Sequence, residues 1–145
     1  MNIRKIFVFL LFLAVFLSCN KNKHHPVPYY SFDVTINLTL PSYNNLQGVG
    51  GWAYVSGAGS KGIVVYRQSI QNFIAFDRHS PAEGSENCKD GLEVDSENFL
   101  ILNDPCSNAK FSLYDGSVIS GNSKWGLRSY LTEYNGGDLV RIYNP

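Results

Sequence analysis

Histidine and cysteine are scarce in this chain. Its 145 residues include three of each. No Cys-x-x-Cys pair, zinc-ligand spacing or phosphate-binding glycine loop can be assembled from them, which removes the commonest redox, metal and nucleotide chemistries. A long apolar run is also missing. The run Ile6–Leu17 would span about 18 Å as a helix, against a hydrocarbon core of roughly 30 Å, so a permanent membrane span is not expected there. No 12-residue window carries a helical hydrophobic stripe, which turns the reading away from a helical fold. Cations are few where nucleic acid would need them. From Pro26 onward there are 8 Lys and Arg against 12 acids, a net charge of −4, whereas a nucleic-acid partner demands the opposite sign.

At the N-terminus, Arg4 and Lys5 precede the apolar run, and the run ends in Phe16-Leu17-Ser18-Cys19. A short cationic stretch followed by a short apolar one is the order of a signal peptide. A small residue directly before a cysteine resembles the lipobox of bacterial lipoproteins. That resemblance implies a signal peptide over residues 1–18, cleavage before Cys19 and a diacylglyceryl group on its thiol. Two or three acyl chains hold a protein stably on a membrane where one does so only marginally. Residues 19–28 then read as a solvated tether, with Lys21 and Lys23 near anionic headgroups. His24 and His25 belong to that tether in this reading, because two adjacent imidazoles lack the third ligand and fixed geometry of a metal site. No acidic run of the kind that resembles a surface-export signal follows Cys19. The expected location is the cell envelope, on the outer membrane facing the periplasm.

Residues 29–145 read as one all-β domain. Phe32, Val34, Ile36, Leu38 and Leu40 alternate with Asp33, Thr35, Asn37 and Thr39, the period of a half-buried strand. Further strands are expected over Gly51–Val55, Gly62–Arg67, Phe73–Asp77, Phe99–Leu102, Lys110–Tyr114, Gly126–Tyr134 and Leu139–Tyr143, the last two joined by the hairpin signal Asn135-Gly136-Gly137-Asp138. Short strands with glycine-rich turns between them argue for an antiparallel sandwich or barrel. Once Cys19 is assigned to lipid, Cys88 and Cys106 remain. An even pair in an oxidising compartment favours a disulfide over two buried thiols. Seven acids lie between Glu83 and Asp104. They read as a solvated loop, with a cationic partner or calcium as the alternatives.

Two loops carry a family resemblance. Phe73-Ile74-Ala75-Phe76-Asp77-Arg78-His79-Ser80-Pro81 resembles the first cluster-binding loop of Rieske iron–sulfur proteins. Asp104-Pro105-Cys106-Ser107-Asn108-Ala109-Lys110-Phe111, with Tyr114-Asp115-Gly116-Ser117 after it, resembles the second. Upstream, Ile36-Asn37-Leu38, Pro41, Leu46, Gly50-Gly51 and Gly62–Arg67 are similar to Rieske-like lipoproteins of Bacteroidota. The resemblance implies a Rieske-like antiparallel sandwich or barrel. A Rieske centre takes two thiolates and two imidazoles. The four corresponding positions are here Ser80, Ala82, Asp104 and Ser107, so the ligands are missing and no [2Fe–2S] cofactor is expected. The family's protective loop is altered to Gly121-Asn122-Ser123. Cys106 falls where some family members place a bridging cysteine, which would make Cys88 its partner. Disulfide and new polar contacts would then hold the loops in place of the cluster.

No catalytic constellation stands out. Ser80 follows His79, but sequence neighbours point to opposite sides of a strand and no elbow glycines flank the serine. The nine tyrosines with Trp52 and Trp125 suit a small β core better than a sugar or peptide groove. The expectation is a non-catalytic, membrane-anchored module that binds an unknown protein or small ligand. The alternative is a [2Fe–2S] electron-transfer protein.

Overall fold

The computed structural model describes residues 24–145. The expected signal peptide, Cys19 and the first part of the expected tether lie outside the described residues. Among the described residues, ten strands form two antiparallel sheets. The larger sheet contains β1 (Phe32–Asn37), β2 (Trp52–Val55), β3 (Ile63–Arg67), β4 (Phe73–Asp77), β9 (Ser129–Tyr134) and β10 (Leu139–Asn144), in the order β1-β10-β9-β4-β3-β2. It curls into a half-barrel. The smaller sheet is β5 (Glu93–Val94), β6 (Ile101–Asn103), β7 (Lys110–Ser112) and β8 (Val118–Ser120), in sequential order.

Period-two alternation divides the interior into two cores with one shared wall. Ile63 and Val65 of β3, with Phe73 and Ala75 of β4, face a core completed by Ile36, Leu46, Val140 and Ile142. The intervening Val64, Tyr66 and Phe76 face the opposite way, onto Leu102, Phe111 and Leu113 of the smaller sheet and the turn after β7. All five residues of β3 are therefore buried. A run covered on both faces has no polar side, which is why Ile63-Val64-Val65-Tyr66 is continuously apolar.

The all-β expectation holds, and β4 has the bounds read from sequence. Other elements differ. The first strand stops at Asn37, and Leu38 is buried outside it. Residues Pro41–Gln47 form a short 3-10 helix that buries only Leu46, too brief and polar to leave a periodic signal. The sequence carries no signal for strands β5 and β8, because two or three residues with largely exposed side chains show no alternation. Pairing with β6 and β7 defines them instead.

Arg67, at the end of β3, is buried. Its guanidinium donates to the carbonyls of Leu46 (3.0 Å), Gln47 (2.7 Å) and Ile70 (2.7 Å). It also lies over the rings of Phe73 and Tyr134. One cation thus satisfies the C-terminal carbonyls of the 3-10 helix and the β3–β4 turn together. That turn occupies one end of the half-barrel. The loops discussed next occupy the other.

Candidate functional site

Antiparallel register decides which loops share an end. Asp77, the last residue of β4, pairs with Ile63, the first of β3, and Ile63 pairs with Val55, the last of β2. The loops Ser56–Gly62 and Arg78–Gly91 therefore leave from the same end. Ser129, at the start of β9, pairs with Phe76, so the segment before it arrives there too.

Asp77 organises this end. It is fully buried, and its carboxylate accepts four hydrogen bonds. Oδ2 accepts from the Tyr130 hydroxyl (2.5 Å) and Ser60 N–H (2.6 Å). Oδ1 accepts from the N–H groups of His79 (2.7 Å) and Lys61 (3.2 Å). Burial and the adjoining carboxylate push the Tyr130 phenol far above its ordinary range, so it remains a donor. Gly59 permits the close approach. It has φ +70°, and a Cβ there would stand 2.8 Å from Asp77 Oδ2.

The two loops that resemble cluster-binding loops meet around a second carboxylate. Asp104 is 5 % exposed. Its Oδ2 accepts from the hydroxyls of Ser85 (2.5 Å) and Ser107 (2.8 Å), and its Oδ1 from Cys106 N–H (2.9 Å). Burial raises its pKa, but hydrogen bonds from Ser80, Ser85, Cys106 and Ser107 outweigh that, and the carboxyl sits below its ordinary value. The Cys88–Cys106 disulfide closes the same junction, with Cα atoms 5.8 Å apart. Of the four positions singled out in the sequence, Ser80, Asp104 and Ser107 contribute to this junction, and Ala82 packs in the second core. Asp104 corrects the reading of the acidic stretch as a uniformly solvated loop. Asp95 is a further anchored member, drawn down to about 2 by hydrogen bonds from Asn103 and the N–H groups of Asn98 and Glu97.

This donor set does not fit a Rieske cluster. Its donors are hydroxyl and carboxylate oxygens, poor partners for a centre built on thiolate and imidazole, and the two cysteine sulfurs are bonded to each other. His79 points its Nδ1 to the Ser60 hydroxyl (2.8 Å), while the Ser80 hydroxyl accepts from Ala82 N–H (3.2 Å). No hydrogen bond joins the two side chains among the described residues. The loop at Gly121–Ser123 clasps its neighbour. Glu83 N–H donates to Asn122 O (2.9 Å), and the Glu83 carboxylate takes Asn122 Nδ2 and Lys124 Nζ.

The tether reading needs correction at its end. His25 is half-buried, with its Nε2 3.0 Å from Gly126 O and its ring 5.4 Å from that of Trp125. Val27 is 1 % exposed, and both Nε and Nη2 of Arg128 donate to its carbonyl. Among the described residues the packing thus reaches back to His25, because an apolar Val27 finds a pocket and Arg128 finds an acceptor. Neither partner is near in sequence. Between this strap and the first loop lies a cleft of about 420 Å³, lined by residues including Pro26, Pro28, His79, Pro81, Glu86 and Trp125.

Burial lowers the pKa of both His25, which faces Arg128 and Asp77, and His79, which faces Lys61, Asp77, Asp104 and His25. The unfolded chain, with imidazoles near 6.5, then binds more protons than the folded one as the pH falls. Stability is full well above pH 6.5 and falls as the pH drops through and below that value. Urea midpoints across that range should fall with acidification, and should flatten in a protein carrying His25→Gln and His79→Gln. An unchanged midpoint in the parent would contradict the burial of these rings.

No protein-family model matches the chain, and no curated protein matches its sequence.

Proposed function

We propose that this chain is an envelope lipoprotein whose Rieske-like domain has exchanged a cluster for a hydrogen-bonded and disulfide-bridged cap, and that it acts as a non-catalytic binding module. The observation that carries the proposal is Asp104. It stands at a position the resemblance assigns to a cluster ligand, yet it is buried, and its oxygens are already taken by Ser85, Ser107 and Cys106 of the same two loops. A carboxylate so occupied serves to hold loops together. The cleft beside the cap, with proline and tryptophan walls and a few polar groups at its rim, is the surface offered for binding. The anchor on Cys19 would keep that surface at the membrane, most simply the outer membrane facing the periplasm.

Iron analysis and visible absorption of the full-length protein, solubilised in detergent, test this directly. The expected outcome is a colourless protein without stoichiometric iron. A red-brown protein carrying two irons would replace the proposal with the electron-transfer reading.

A further inference from the structure

The chain enters the domain at the capped end. Phe32, first in β1, pairs with Asn144, and β10 runs toward the end where β9 begins and β4 finishes. The strap before β1 is fixed there by His25, Val27 and Arg128. Cys19 and His25 are six residues apart, a reach of at most about 22 Å when fully extended. A domain of this size is roughly 35 Å across. With the strap docked, the far end, marked by the β3–β4 turn, therefore cannot be the end turned to the membrane.

The side chains at the near end suit that position. Tyr29 and Tyr30 are exposed beside the strap, Tyr29 near the guanidinium of Arg128, and Trp125 lines the cleft. Tyrosine and tryptophan favour the headgroup level, where an apolar ring and a polar edge are both accommodated. Two acids stand at this end: Glu83 is paired with Lys124, which reduces its repulsion from anionic lipid, and Glu86 at the cleft accepts the Gly84 N–H.

We propose that the capped end, with Tyr29, Tyr30 and Trp125 at its rim, rests on the lipid headgroup surface, so that the cleft opens at the bilayer interface. The proposal rests on the reading of Cys19 as lipidated. A ligand reaching the cleft would then come from the interface or from a protein lying on it.

Two tryptophans make the orientation measurable. Trp125 belongs to the capped end. Trp52 lies at the opposite end of β2 from Val55, roughly 10 Å back along the strand. Full-length lipidated W52F and W125F proteins would be bound to phosphatidylethanolamine–phosphatidylglycerol vesicles containing headgroup-nitroxide lipid. The W52F protein, emitting from Trp125, should lose roughly half its fluorescence, and the W125F protein little. Equal quenching, quenching of neither, or stronger quenching of Trp52 overturns the orientation. Protein that lacks acyl mass and fails to float with the vesicles sinks the Cys19 reading, and the orientation with it. Hydrogen exchange on the unsubstituted protein gives a second readout independent of variant folding. Vesicle binding should protect amides in 24–30 and 121–127. Protection confined to Gln68–Asn72 is the opposite result.

Discussion

Replacing Asp77 with alanine should destabilise the fold by about 4 kcal/mol. The carboxylate is fully buried and serves three backbone N–H groups and the Tyr130 hydroxyl. Removing it leaves those donors without an acceptor in an interior that water does not readily reach, and each unpaired group costs about 1–3 kcal/mol before relaxation. Tyr130→Phe is the informative comparison. It deletes one donor and leaves the backbone bonds intact, so about 1.5 kcal/mol is expected. Urea denaturation of the two proteins separates the cases. If Asp77→Ala cost no more than Tyr130→Phe, Asp77 would not be the element that holds the Gly57–Gly62 and Arg78–His79 segments together.

Reducing the Cys88–Cys106 bridge should cost about 3 kcal/mol by the chain-entropy argument, since the bonded residues are 18 apart. The bridge and Asp104 secure the same pair of loops, so their effects should not add. Asp104→Ala alone should cost about 2 kcal/mol, because Ser85, Ser107 and Cys106 N–H lose their acceptor. Once the bridge is absent and the loops can part, those donors find water, and the same substitution should cost measurably less. Equilibrium unfolding of Asp104→Ala, the Cys88→Ser/Cys106→Ser protein and their combination closes the cycle. Strict additivity would show that the carboxylate and the bridge act on different structures. Intact mass with and without reductant checks the bridge itself.

The parts legible in the sequence were those where one residue type answers one local demand. Strand β4 has the expected bounds because a short continuous apolar run, Phe73–Phe76, is framed by polar and turn residues. The cysteine pairing followed from an even count in an oxidising setting, and the Asn135–Asp138 turn does join β9 to β10. The parts missed depended on distant partners. In the sequence, Asp77 and Arg67 are only the last residues of expected strands, and His25 belongs to the expected tether. Each is buried or half-buried because groups far along the chain close over it: Tyr130 on Asp77, the carbonyls of Leu46 and Gln47 on Arg67, and Gly126 with Trp125 against His25. Nothing in the local pattern distinguishes such a residue from a solvated one.

The opening stretch of the chain and its all-β character are matters of sequence alone. The expectation of a signal peptide rests on an apolar run before a cysteine, and the period-two alternation in the strands is set by backbone geometry. The end of the half-barrel at which the strap docks was decided by the antiparallel register of β1, β10, β9 and β4. The pairing of Ser85 and Ser107 with Asp104 is likewise tertiary. A buried carboxylate needs donors from several directions at once, and only the folded chain can assemble them from positions that are remote in sequence.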